Sequence, residues 1–254
     1  MTTSSFDPLA DRFELHRSLP GPVLAAIRDT LHTEGKLHPD SRLLEVGCGT
    51  GRIGKQFNLA GDNYFGIDLS MEMLREFKRK RLARKPNLVH ADGTMLPFGD
   101  QCFDAVLMMH VLGAGNWRAL LAESQRVLHR RGFLAIGKTE TPGDGVDAHL
   151  RNRLAELVAA MGIAEPSRDR GKMNDWLCAK SFRRLKIEAA QWNVDRTPRD
   201  FFLRKRTAPR FASLPDDMKE TALQALADWT EQNIGPLDVP VSETHSFCLE
   251  LYWF

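Results

Sequence analysis

Between residues 42 and 137 the chain alternates short apolar runs with stretches whose apolar residues recur every three or four positions. Short apolar runs bounded by glycine or polar clusters predict buried strands, and the periodic stretches predict amphipathic helices. The strands fall in LLEV (43–46), NYFGID (63–68), LVH (88–90), FDAVLMMHVL (103–112) and the end of SQRVLHRRGFLAIGK (124–138). That last segment reads as a helix, a tight turn at Gly132 and a strand. After the first strand, Ile53, Phe57 and Leu59 share a helical face; after the second, Met71, Met73, Leu74 and Phe77 form a buried side. Strands alternating with helices predict a parallel, doubly wound sheet, and ligands of such sheets sit at the carboxyl ends of the strands.

The flanks are patterned differently. PGPVLAAIRDTLH predicts a helix with Pro20 and Pro22 near its start. Beyond the turn-rich TPGDGVD lies a helical HLRNRLAELVAAMG, followed by a polar EPSRDRGKMND without periodicity, expected to be mobile. RLKIEAAQWNV (184–194) and SFCLELYWF (246–254) read as strands, and residues 197–235 between them hold two predicted helices, the second stopped at Gly235.

Composition narrows the class only modestly. The 254 residues, 43% hydrophobic with a formal net charge of +2, suit one sizeable α/β domain with an appended element and give no electrostatic footprint for nucleic acid. No apolar run approaches the roughly 20 residues of a membrane span, and no signal-peptide pattern opens the chain, so a cytoplasmic location is expected. Cys48, Cys102, Cys178 and Cys248 are scattered without a C-x-x-C pair, which suggests reduced thiols and no metal site.

Chemistry enters at LLEVGCGTG (43–51), where a strand runs through Glu45 into Gly47, Gly49 and Gly51. Glycine allows positive φ and leaves backbone N–H groups bare for a ligand that approaches closely. Gly49, Gly51 and Gly54 also spell the dinucleotide fingerprint G-x-G-x-x-G, but Gly47 already closes the strand, so [DE]-x-G-x-G-x-G fits better.

From residue 43 to about 140 the chain resembles the class I S-adenosylmethionine-dependent methyltransferases, of the small-molecule type 11-like branch. The resemblance implies a Rossmann-like, seven-stranded, mostly parallel sheet with helices on both faces and a helical insert between the last two strands. It further implies that Asp68 accepts hydrogen bonds from the ribose of S-adenosyl-L-methionine, that Asp92 holds the adenine amine beside Gly93, and that Leu69 and Met95 flank the ring. Met109 and His110 would face the cofactor or acceptor. The cofactor-binding set so implied is Glu45, Gly47, Cys48, Gly49, Gly51, Asp68, Leu69, Met73, Asp92, Gly93, Met95 and Met109. Residues 1–40 would form an N-terminal helical lid, with Phe6 and Phe13 excluding water, and 41–254 the methyltransferase domain, with 197–235 roofing the acceptor site.

Each conspicuous residue also has a plain reading. His110 is a general base, an acceptor-orienting group, or a packed histidine. The basic run REFKRKRLARK (75–85) touches an acidic partner or is a solvated helix face. The five tryptophans line a core or a pocket. The family's nucleic-acid and protein N-methylating tetrad, its cytosine nucleophile and its arsenite-type cysteines are absent from the sequence, which leaves a small organic acceptor. The function expected is methyl transfer to an O, N or C atom of that acceptor. A non-catalytic cofactor-binding or scaffolding protein of the same fold is the alternative, and a nicotinamide-dependent oxidoreductase is third.

Overall fold

Strands β1 (Arg42–Val46) and β4 (Phe103–Met109) form the middle of the sheet, and their nearly continuous apolar sequences reflect burial on both faces. The computed structural model describes residues 7, 10, 14, 17–111, 116–163, 170–206, 208, 211 and 214–254. β1 pairs in parallel with β2 (Asn63–Asp68), which pairs with β3 (Asn87–His90); on the other side β4 pairs in parallel with β5 (Leu128–Glu140). β7 (Val241–Trp253) runs antiparallel between β5 and β6 (Arg183–Arg196), giving the order β3-β2-β1-β4-β5-β7-β6. The seven-stranded, mostly parallel, Rossmann-like fold is the one expected.

Alternate strand residues feed two cores. On one face Leu43, Ala105, Leu107 and Phe133 pack under α1 (Gly21–Gly35), α2 (Gly54–Leu59) and α3 (Met71–Arg79) through Ile27, Leu31, Phe57, Leu74 and Phe77. On the other, Leu44, Val46, Val106 and Leu134 meet α4 (Trp117–Val127) and α6 (Arg170–Lys180). A third cluster is purely helical: Leu150 and Leu154 of α5 (Val146–Ala160), Phe201 and Phe202 of α7 (Pro198–Arg206), and Leu223 and Leu226 of α8 (Asp216–Asn233).

The register fixes where this helical cluster lies. Glu140 pairs with Ser246 and Arg196 pairs with Val241, so β5 and β6 both end, and β7 begins, at the carboxyl edge of the parallel strands. α5, α7 and α8 connect at that edge.

Four local expectations change. The second half of the polar segment expected to be mobile opens α6, whose Met173 and Leu177, four residues apart, are buried on the sheet, and the segment's first half, 165–169, lies outside the described residues. Met71 is exposed at 36% and lies outside the buried side of α3, which is Met73, Leu74 and Phe77. The helix after the glycine loop has only six residues. Gly132 lies within β5, where the pairing with β4 jumps from Phe103↔Leu128 to Ala105↔Phe133, and the turn becomes an irregular excursion of one strand. The helical part of the basic run is a solvated face, with Arg75 and Arg79 paired to Glu72 and Glu76, whereas Lys80 pairs with Glu14 and Arg84 donates to the Gly61 carbonyl.

Candidate functional site

Strand order reverses between β1 and β4, and the crevice outside their carboxyl ends is where a doubly wound sheet places its ligand. The loop leaving β1 carries Gly47, Gly49 and Gly51 at φ of 71°, 54° and 75°, the left-handed region that side chains rarely adopt. Two of these glycines differ in what else they do. A Cβ on Gly51 would stand 2.3 Å from the Phe77 ring, whereas one on Gly49 would meet nothing within 4 Å. Gly51 is tight packing; Gly49 borders open space.

Asp68, at the end of β2, ties the two loops together. Its Oδ2 accepts from the Gly49 N–H (2.7 Å) and its Oδ1 from the Ser70 N–H (2.8 Å). Burial raises its pKa, and these two amides oppose the rise. Ser70 caps α3 by accepting the Met73 N–H at 3.2 Å. At the end of β3, exposed Asp92 accepts from both the N–H and the hydroxyl of Thr94, at 2.8 Å each. Leu69 and Met95, exposed at 44% and 77%, leave large apolar surface beside these two acids. Gly93 sits where a Cβ would press on Leu120 and Val46, at 2.7 and 2.8 Å.

Four of the expected site residues lie beneath the crevice instead. Glu45 is 2% exposed and accepts the Tyr64 hydroxyl at 2.5 Å; burial lifts its pKa to about 7, against the pull of that bond and of Arg52. Cys48 is buried, its N–H is taken by the Ile67 carbonyl (2.9 Å), and burial holds its thiol well above the usual range. Met73 is closed off at 2% exposure under α3. Met109 is buried in the core with Phe247, and a Cβ on Gly137 would meet its sulfur at 2.2 Å. Alternation explains Met109: in β4 it follows Ala105 and Leu107 onto the helix-covered face.

His110 comes next and departs from the strand. Its φ is 63°, its N–H donates to the Gly137 carbonyl (2.9 Å), and its ring meets Phe247 edge-on at 5.6 Å. A non-glycine residue at positive φ is a strained position that its surroundings must hold. Protein surrounds the ring on most sides while one edge opens to solvent; this enclosure, with the nearby Arg52 guanidinium, pushes its pKa down to about 3. It is therefore a neutral imidazole at ordinary pH.

The ring opens into a cavity of about 220 Å³ lined by Arg17, Ser18, Leu19, Arg52, His110, Thr139, Thr141, Arg151, Trp192, Arg196 and Arg204. These come from the N-terminal segment, the glycine loop, β4, β5, α5, β6 and α7. Arg204 Nη2 donates to both oxygens of Asp147 at 2.6 Å, and Arg196 stands 3.8 Å from the same carboxylate. Arg52 donates to the Arg17 carbonyl (2.9 Å), and Arg17 to that of Arg204 (2.8 Å). Of this lining only His110 was legible beforehand. The five arginines come from five separate segments and form no motif.

The N-terminal segment reaches the glycine loop. The Thr50 hydroxyl and Lys80 donate to Glu14, and the Ser70 hydroxyl donates to Asp7. Phe6 and Phe13 lie outside the described residues.

The glycine loop and the strand-end acids lie where a doubly wound sheet places its ligand, and known proteins show what this part of the chain is similar to. Residues 44–136 match the methyltransferase domain family. An uncharacterised protein of Methanocaldococcus jannaschii is 38% identical over 100 residues, 39% of this chain and 45% of that protein. A demethylmenaquinone methyltransferase of Renibacterium salmoninarum is 34% identical over 110 residues, 42% of this chain and 45% of that enzyme. The chain thus spans about half the length of these curated relatives. The crystal structure of an S-adenosylmethionine-dependent methyltransferase from Thermotoga maritima shares the fold, with a TM-score of 0.55 at 15% identity over 98% of this chain and 99% of that one. Over residues 44–136 the chain is thus similar to the methyltransferase domain, and its sheet has the fold of an S-adenosylmethionine-dependent methyltransferase. Among the described residues no helix is long and apolar enough to cross a membrane.

The residues present fit that cofactor. Open space beside Gly49, an acid at the end of β2 and exposed Leu69 and Met95 suit, in turn, a closely approaching backbone ligand, ribose hydroxyls and an apolar ring.

Proposed function

We propose that this protein transfers the methyl group of S-adenosylmethionine to an O, N or C atom of a small organic acceptor. The observation that carries this reading is the Gly49–Asp68 pair at the carboxyl ends of β1 and β2, together with His110, the residue after β4, which lines a partly open cavity. When bound, the cofactor supplies a methyl group on a sulfonium, already activated for displacement. The chain's own task is then alignment, exclusion of water and handling of the acceptor's proton.

Asp68 binds the ribose, Asp92 and the Gly93 N–H select the adenine, and Leu69 and Met95 cover its faces. Glu45, Cys48, Met73 and Met109 act from below, holding the loop and strand ends in place. His110 orients the acceptor by hydrogen bonding: a ring with a pKa of about 3 takes up a proton poorly, whereas a neutral imidazole both donates and accepts. Within residues 1–40 the lid is the stretch before α1, whose Asp7, Glu14 and Arg17 already bond to α3, the glycine loop and α7, while α1 itself belongs to the sheet core. Residues 197–235 roof the acceptor from the carboxyl edge, and the setting is cytoplasmic.

The test is a screen of phenols, amines and carboxylic acids for release of S-adenosylhomocysteine. Turnover with any of them supports the reading. Tight binding of S-adenosylhomocysteine without turnover across the screen would favour a cofactor-binding protein without chemistry.

A further inference from the structure

We propose that the cavity beside His110 is an anion site, and that the acceptor methylated here is a small acid carrying a carboxylate or phosphate group gripped by Arg151, Arg196 and Arg204. The proposal rests on the methyl-transfer reading for the word acceptor, but the anion site stands on its own geometry.

The lining of the cavity contains five arginines and no aspartate or glutamate. Behind the lining, Asp147 accepts from Arg204, and Asp147, Asp200 and Glu243 offset part of the charge of Arg196, but none of these carboxylates faces the cavity. Among the described residues no carboxylate lies within ion-pair distance of Arg52, whose hydrogen bond goes to a backbone carbonyl. Bringing cations together in a partly enclosed space costs free energy unless an anion joins them. The strain shows in the titration of the cluster. Burial, then repulsion by Arg52 and Arg204, pulls the Arg17 pKa to about 10, and burial with repulsion by Arg204 lowers that of Arg196. Guanidinium is the group that meets carboxylate and phosphate with paired N–H donors, and it keeps its charge throughout. Thr139 and Thr141 add hydroxyls, and Trp192 supplies an apolar wall for the rest of a small molecule.

Two anions could claim these arginines: the acceptor's, and the carboxylate of the cofactor's own methionine. Position separates them. Arg52 follows the glycine loop, whereas Arg151 on α5, Arg196 on β6 and Arg204 on α7 stand on the far side, under the helical cluster that residues 197–235 help to build. The second group is assigned to the acceptor.

The experiment uses the full chain saturated with S-adenosylhomocysteine and titrated with citrate and with inorganic phosphate as probes, the neutral trimethyl ester of citrate serving as control, at about 150 mM salt to screen non-specific attraction. Calorimetry and melting temperature are the readouts. The expected result is binding of at least one anion and none of the ester, weakened about ten-fold or more in Arg151→Gln/Arg196→Gln while S-adenosylhomocysteine affinity stays within about two-fold. The tighter probe identifies the group. Arg151 is exposed, so Arg151→Gln alone decides the matter, by a weakening of about three-fold or more, should the double variant fail to fold. Equal behaviour of citrate and its ester, or loss of S-adenosylhomocysteine affinity in step with citrate affinity, overturns the proposal. Failure of S-adenosylhomocysteine itself to bind would instead overturn the methyl-transfer reading, and the anion titration would then be read on the unliganded chain.

Discussion

The two halves of the sheet's carboxyl edge are built on opposite electrical and sequential plans. Over β1, β2 and β3 the groups are acidic or uncharged, and they arrive in short runs: 45–51, 68–70 and 92–95. Over β4, β5 and β6 the groups are cationic and arrive singly, from residues as far apart as Arg17 and Arg204. On the proposed methyl-transfer reading, the difference follows from what each half would hold. An invariable cofactor is met by backbone and by one or two acids at strand ends, so loop geometry does most of the recognition and the local sequence records it. An acceptor is met by whatever side chains the surrounding elements can aim inward, and these elements come from all over the chain.

The largest expected effect tests whether the cofactor half is backbone-built. Gly51→Ala forces a Cβ against Phe77 at a φ of 75° and should cost about 2–5 kcal/mol, adding left-handed strain to overpacking. Gly49→Ala meets no neighbour within 4 Å, so only the strain of about 1–2 kcal/mol remains. The second variant should fold and yet bind S-adenosylhomocysteine at least about ten-fold more weakly, because its methyl group enters the space beside Asp68. Thermal melts and calorimetry separate the two, and a Gly49→Ala protein with unchanged affinity would mean that the ligand does not pass over this loop.

On the other half, His110→Ala should lower kcat by about 10- to 100-fold, with S-adenosylhomocysteine affinity unchanged. His110→Gln keeps a hydrogen bond and cannot take a proton. Recovery of most of the rate in that variant fits the depressed pKa, whereas continued loss would show base catalysis and require that a bound acid raise the imidazole's pKa from about 3. What sets this pKa is first the burial of the ring and then the Arg52 guanidinium.

The same asymmetry governs what could be read from the sequence. Asp68 and the glycine loop were legible as features because a strand end and the turn that follows it coincide within a few residues. Glu45, Met73 and Met109 were placed in the right segments but on the wrong side of them, since a motif gives a position along the chain and not the direction of a side chain. Helix α6 was missed although Met173, Trp176 and Leu177 stand at i, i+3 and i+4, because so short an apolar stripe among polar residues carries little signal until the sheet beneath it is seen. The arginine cavity left no local trace. Within FLRKR (202–206), Arg204 turns inward to Asp147 and Arg206 outward to Glu220, and nothing in the run distinguishes them.

A smaller effect probes Asp68 directly. Asp68→Ala removes a carboxylate that would accept from the ribose, each charge-assisted bond being worth about 1.5–3 kcal/mol, so the dissociation constant should rise about ten-fold or more. Asp68→Asn keeps an acceptor for the Gly49 N–H and should hold the loop, which isolates ligand contact from loop support. If both variants bind S-adenosylhomocysteine like the wild type, the acidic half is scaffolding and the ribose is held elsewhere.

The smallest effect concerns Glu45, and it decides whether that acid serves the ligand or the fold. Its folded pKa of about 7 lies above the ordinary value of 4.5, so between these values the folded chain holds a proton that the unfolded chain has released. Stability from this group is therefore present below pH 4.5, is lost as pH rises through 7, and leaves a buried carboxylate above that. Glu45→Gln mimics the protonated form and can still accept the Tyr64 hydroxyl, while giving up the attraction of Arg52. The variant should match the wild type near pH 4.5 and be more stable at pH 8 by something on the order of 1 kcal/mol, well below the full desolvation penalty because Arg52 loses its neighbour. S-adenosylhomocysteine affinity should not change. A variant that melts like the wild type at both pH values but binds the cofactor more weakly would move Glu45 from the support beneath the loop to the ligand-facing side of it.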